Sequence, residues 1–190
     1  MRKKLLMGFV TLVSAFTLVA CGNDNEEVNH ENMDMETNSS SEESMEMNHS
    51  GSGEVPGGLK VAENPTYKVG SQAILETDHM EGMKGAEATI VGAFDTTAYT
   101  ISYTPTTGGE RVENHKWVIQ EEIKDAGDET LESGTEVTVE ADHMVGMDGA
   151  TAEIDSSEQT TVYMINYTPT TGGEEVTNHK WVTEDELSAQ

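Results

Sequence analysis

One domain-sized sequence occurs twice in this chain, and its two copies align at a constant offset of 64 residues without a gap. Asp78-His79-Met80-Glu81-Gly82-Met83-Lys84-Gly85-Ala86 returns as Asp142-His143-Met144-Val145-Gly146-Met147-Asp148-Gly149-Ala150. Tyr103 to Glu110 returns as Tyr167 to Glu174, and Asn114-His115-Lys116-Trp117-Val118 as Asn178 to Val182. A period of this length is too long for most solenoid repeats and suits a small compact domain. The copies occupy residues 59–124 and 125–190.

Each copy reads as β structure. Val69 to Thr77, Ala86 to Ala93, Thr97 to Thr104 and Arg111 to Val118 are short, rich in β-branched or aromatic residues, and separated by Gly, Pro, Asp or Thr clusters. Tyr99, Ile101 and Tyr103 alternate, which gives their strand one apolar or aromatic face. Thr-Pro-Thr-Thr-Gly-Gly supplies a hairpin connection with glycines free to take positive φ. Glu121-Glu122-Ile123 and Glu184-Asp185-Glu186-Leu187 suit a closing helical turn. The expected fold is all-β: two tandem small barrels of the Src-homology-3 or KOW kind, since closure removes strand edges that would otherwise aggregate.

The start of the chain points out of the cytoplasm. Arg2, Lys3 and Lys4 precede an apolar stretch from Leu5 to Ala20, the pattern of a secretory signal over residues 1–20 and too short for a permanent membrane span. It ends in Leu18-Val19-Ala20-Cys21-Gly22, which resembles a bacterial lipobox. The expectation is cleavage before Cys21, lipidation of its thiol, and a protein held on the outer face of the cell membrane. Cys21 is the only cysteine, so no disulfide staples the fold and no thiolate remains for metal. The whole chain carries a formal charge of −26, and loss of the signal makes it more negative. A phosphate backbone would be repelled, which argues against a nucleic-acid partner.

Residues 21–58 contain no Lys, Arg or aromatic residue and many Asn, Ser and acidic residues. Such a composition cannot bury enough apolar surface to fold, and a disordered acidic tether is expected. Yet four of the eleven methionines lie in it, Met33, Met35, Met45 and Met47, together with His30 and His49. With no core to fill, these residues suit a pliable collector of soft metal ions.

The repeated motif carries the same donor types. Thioether sulfur is a poor ligand for hard cations and a good one for Cu(I), so His79, Met80 and Met83 point to copper, Cu(I) before Cu(II). Gly82 and Gly85 permit a loop that curls these three side chains to one side, between the first two strands. His115 is the candidate to complete that set, and His143, Met144, Met147 and His179 form the corresponding second set. Asp78 and Asp142 are candidates to hydrogen-bond loop amides or orient the imidazoles. Trp117 and Trp181 suit core filling or capping of a barrel mouth, with a tryptophan face over the ion as the secondary role.

The lipobox, the Met/His-bearing acidic tail and the two Asp-His-Met-x-Gly-Met-x-Gly-Ala units, each followed by Tyr-Thr-Pro and Asn-His-Lys-Trp-Val, resemble the YdhK family of Gram-positive lipoproteins. That family includes the CopL-type copper-resistance proteins. The resemblance covers nearly all of the chain beyond the signal. It implies an extracytoplasmic lipoprotein that binds copper and limits its toxicity, by sequestration or by delivery to an exporter or multicopper oxidase. A different class of function is a cell-envelope adhesion or interaction module whose His/Met loops are structural. Enzyme activity is not expected: no Ser or Cys nucleophile has a convincing partner, and phosphate-cradling and His-Glu-x-x-His patterns are lacking.

Overall fold

The computed structural model describes residues 50–190; the signal, Cys21 and the tail candidates His30, Met33, Met35, Met45, Met47 and His49 lie outside the described residues. The described part is all-β, as expected. In chain order the strands are β1 (Lys60–Val61), β2 (Gln72–Leu75), β3 (Glu87–Tyr103), β4 (Val112–Ile119), β5 (Glu136–Thr138), β6 (Thr151–Tyr167), β7 (Val176–Thr183) and β8 (Leu187–Ser188). One-turn 3-10 helices, Gln120–Glu122 and Glu184–Glu186, follow β4 and β7, where the closing acidic turns were expected.

The stretch read from sequence as two strands, Ala86 to Ala93 and Thr97 to Thr104, is one 17-residue strand. Phe94, Asp95 and Thr96 do not break it, because the whole length has an antiparallel partner in β6. Ala88 faces Tyr167, Thr96 faces Thr160, and Tyr103 faces Ala152. Subtracting the repeat offset turns this register into a self-complementary one, with its centre at Thr96 and Thr160. The two copies therefore meet as the subunits of an isologous dimer do, within one chain.

All eight strands belong to one open sheet, whose main path runs β5-β6-β3-β2-β8, with β1 and β4 on β3 and β7 on β6. The end of each copy also pairs with the beginning of the other. Leu75 of β2 faces Leu187 of β8, and Ile123 bridges to Val139. Each closing 3-10 turn is thereby set against the other copy's His/Met loop.

Packing follows the same exchange. One apolar cluster joins Leu75, Ala88 and Ile90 of the first copy to Tyr163, Ile165 and Tyr167 of the second. Another joins Tyr99, Ile101 and Tyr103 to Val139, Ala152 and Ile154. Between them a third cluster contains Phe94, Trp117, Met164 and Trp181. The alternating Tyr-Ile-Tyr faces are thus core faces, and Tyr99, Ile101 and Tyr163 are completely buried. Two small β units result, each assembled from halves of both repeats.

The tether expected to extend to Gly58 is bonded to the sheet at its end. Gly51 N donates to Thr177 O at 2.8 Å, Thr177 N to Ser50 Oγ at 2.9 Å, and Asn178 Nδ2 to Gly51 O at 3.3 Å.

Candidate functional site

The loop after β2 curls as its glycines allow. Met83 N donates to Met80 O at 3.1 Å and Ala86 N to Met83 O at 2.9 Å, giving two successive turns. Gly82 has φ 79° and Gly146 φ 80°, in the left-handed region that favours glycine. Both also lie in close contact. A Cβ on Gly82 would stand 2.7 Å from Thr171 Oγ1, and one on Gly146 would stand 2.6 Å from Thr107 Oγ1. Thr170 N donates to Gly82 O at 2.9 Å and Thr106 N to Gly146 O at 2.8 Å. Each His/Met loop therefore leans on the Thr-Pro-Thr-Thr-Gly-Gly hairpin of the other copy.

The histidine leaving each loop meets a carboxylate from the other copy. His79 Nε2 lies 2.6 Å from Glu186 Oε1, and His143 Nε2 lies 2.8 Å from Glu122 Oε1. The second oxygen of each carboxylate accepts an indole N–H, from Trp117 at 2.8 Å and from Trp181 at 3.0 Å. Backbone amides finish the shell: Thr183 N donates to Glu186, and Ile119 N donates to Glu122. Thr77 Oγ1 adds a bond to Glu186 at 3.2 Å. Burial pushes the Glu186 carboxyl up, but the His79 bond and charge, with the Trp117 and Thr183 bonds, outweigh it and hold the group down at about 2. An ionised carboxylate only accepts hydrogen bonds, so the imidazole nitrogen facing it carries the proton.

The Asn-His-Lys-Trp segment on β4 serves both halves of the molecule. Asn114 has φ 53° and Asn178 φ 52°, a region that Asn tolerates better than most residues. The register of β4 on β3 shifts on both sides of His115. His115 packs edge-on against Tyr103, with ring centroids 5.9 Å apart, and its ring lies 6.5 Å from that of His143. Trp117 instead turns to Glu186 and lies 6.5 Å from His79. The second copy repeats this, with His179 edge-on to Tyr167 at 5.8 Å and Trp181 bonded to Glu122. The sequence pairs His115 with the His79 loop; in the structure the neighbouring imidazole is His143, because each unit combines halves of both copies.

Among the described residues, three buried ring nitrogens have no hydrogen-bond partner: His79 Nδ1, His143 Nδ1 and His115 Nε2. Burial lowers the His115 pKa to about 4, helped by the nearby His143 and His79 and opposed by Glu122. His115 is therefore neutral near pH 7, and a neutral imidazole keeps one bare lone pair.

The methionines are placed differently from these histidines. Met83 and Met147 are completely buried in the two flanking apolar clusters, and Met80 and Met144 pack against the same clusters half-buried. The structure thus joins histidines, tryptophans and glutamates by polar contacts and gives Met83 and Met147 an apolar packing environment. Met164, a core residue by its place in the strand, is buried beside the tryptophans. Asp78 and Asp142 are exposed, and the carboxylates that hold the imidazoles are Glu186 and Glu122. Sequence reasoning placed those two only in the closing turns; a duplicated Glu at the same offset was the available signal.

A soft or borderline ion fits part of this arrangement. A metal-binding histidine commonly gives its other ring N–H to a carboxylate, as His79 and His143 do here, leaving Nδ1 as the donor atom. Among the described residues no group of three or more His, Cys, Asp or Glu is arranged to hold one ion, while structural zinc takes four ligands and calcium six or more.

Comparison with known proteins agrees with the repeat. Residues 69–120 and 133–184 each match the family profile described as "Protein of unknown function (DUF1541)". The chain is 63% identical over 189 residues to "Uncharacterized protein YdhK" of Bacillus subtilis (strain 168), covering 98% of this chain and 90% of that protein. It is similar to a crystal structure of that organism's DUF1541 protein ydhK, with TM-score 0.74 and 71% identity over 76% of this chain and 99% of the other. A solution structure of the ydhK C-terminal domain matches with TM-score 0.62 and 73% identity, over 65% of this chain and 93% of the other. With both repeats matched and a relative of this identity aligned almost end to end, the chain belongs to the YdhK (DUF1541) family.

Proposed function

We propose that this protein is a non-enzymatic copper-binding protein lipid-anchored on the outer face of the cell membrane, with Cu(I) favoured, acting in copper resistance by sequestration or by delivery to an exporter or oxidase. The observation that carries this reading is the set of buried imidazole nitrogens without hydrogen-bond partners, two of them on rings whose opposite nitrogen is fixed by a carboxylate. Leaving a polar atom buried and unpaired costs about 1–3 kcal/mol, a cost that a bound ion offsets. Methionines of the tail and loops supply further soft donors.

A second reading, an envelope interaction module with structural His/Met loops, draws on the full burial of Met83 and Met147. Anaerobic titration of the full chain with Cu(I) against a competing chelator separates the two. Binding tight enough to compete, lost when His79, His115, His143 and His179 are all changed to Ala, supports copper. Weak binding that survives those changes favours the interaction module. Changing Met80, Met83, Met144 and Met147 to Leu tests the sulfur donors separately.

A further inference from the structure

His115 and His143 come from different repeats, yet their rings lie 6.5 Å apart with a tilt of 38°. Each has one buried nitrogen without a partner, Nε2 on His115 and Nδ1 on His143. The His143 side chain is 8% exposed, and its Nε2 is committed to Glu122 Oε1 at 2.8 Å. That bond fixes the tautomer: the Nε2 proton points at the carboxylate, so the neutral ring has its lone pair on Nδ1.

The separation suits one bridging ion. Ring centroids 6.5 Å apart bring the two unpartnered nitrogens to about 4 Å when the rings turn them toward each other, twice a metal–imidazole bond of roughly 2.0–2.1 Å. Two nitrogens are too few for zinc or calcium. They suffice for a monovalent soft cation, which accepts two ligands in a line.

We infer that His115 Nε2 and His143 Nδ1 together bind one monovalent soft cation, Cu(I) in the reading above, at a site that neither repeat holds alone. This rests on the copper reading and adds to it the donor atoms and their exchange between repeats. Glu122 is then a positioning residue that sets the His143 tautomer. Trp181, bonded to the same carboxylate, limits its movement.

The test is anaerobic Cu(I) titration of the full chain in detergent, with X-ray absorption at the copper edge. His115→Gln and His143→Gln are each expected to weaken the same single equivalent by tenfold or more. The double variant should lose no further equivalent, and the absorption fine structure of that equivalent should show two nitrogen neighbours. Amide NMR spectra of the metal-free variants that overlay the parent spectrum establish that the fold is retained. Should either variant unfold, two nitrogen neighbours around the first equivalent in the parent chain still decide for the site, and sulfur neighbours in their place decide against it. Variants that keep the parent's tightest equivalent, or that lose two separate equivalents, overturn the paired site while leaving the copper reading standing. A parent chain that binds no Cu(I) tightly overturns both.

Discussion

The half of the molecule built around His79 and the half built around His143 share motifs, spacing and hydrogen-bond pattern, yet their surroundings differ. The Glu186 side chain is 12% exposed and Glu122 only 4%. Both lysines lie over the following tryptophan, Lys116 at 4.8 Å from the Trp117 centroid and Lys180 at 5.9 Å from that of Trp181, but Lys116 also approaches Glu186 at 3.6 Å. Beside Glu122, Ser52 and the segment Glu54 to Gly57 form part of the wall of a cleft of about 460 Å³ shared with Glu140, Asp142 and Lys180. That segment lies outside both repeats. Duplication fixes the internal geometry of each His–Glu–Trp unit, while the chain leading into the first repeat lies beside the Glu122 unit. Equal sequence motifs need not give equal sites.

Removing the carboxylates should separate the halves most strongly. Glu122→Ala strands the His143, Trp181 and Ile119 donors in a nearly closed site, and we expect a loss of about 3–5 kcal/mol. Glu186→Ala, at the more open site, should cost about 1–3 kcal/mol. Urea unfolding of the two variants measures this, and equal losses would break the distinction. Met83→Ala and Met147→Ala make the opposite demand, since both residues have zero exposure. Each should cost about 2–5 kcal/mol, and the Leu substitutions less than about 1.5 kcal/mol. A large excess of one Ala variant over the other would show that packing is also unequal.

Acid should draw the halves apart in separate windows. His115 has a folded pKa depressed to about 4, so the unfolded chain binds its proton first. Its neutral form supports the fold above roughly pH 6.5, and that support falls away as pH drops toward 4. Glu186, with a folded value of about 2, supports the fold above its unfolded pKa near 4.3 and loses that contribution as pH falls toward 2. Metal-free stability followed between pH 7 and 2 should lose the upper step in His115→Asn and the lower one in Glu186→Gln. The smallest expected effect is that of Lys116→Met. This half-exposed pair is worth no more than about 1 kcal/mol, and the change should disappear at high salt.

Local features were legible in the sequence where the physics is local. The curl of the loop follows from Gly82 and Gly85, the hairpin from Thr-Pro-Thr-Thr-Gly-Gly, and the core face of β3 from Tyr99, Ile101 and Tyr103. Long-range partnering was not. His79 and Glu186 are distant in the chain, and a gapless repeat gives a histidine two equivalent glutamates with nothing local to choose between them. The choice is made by β3 passing through Asp95 and Thr96, where Asp95 reads as a break because aspartate is disfavoured in a strand until a full-length partner is present. The full burial of Met83 was not legible for a related reason. A glycine-bearing loop has no periodicity to show which side chains turn inward.

The self-complementary register of β3 with β6 also bears on how a site shared between repeats survives dilution. Two separate copies would have to find each other, and their occupancy would fall with protein concentration. Joined in one chain, each copy meets its partner at an effective concentration in the millimolar range, set by the short connection between them. For a protein proposed to work outside the cell, tandem fusion makes assembly of the histidine pair a first-order event, independent of how much protein is present.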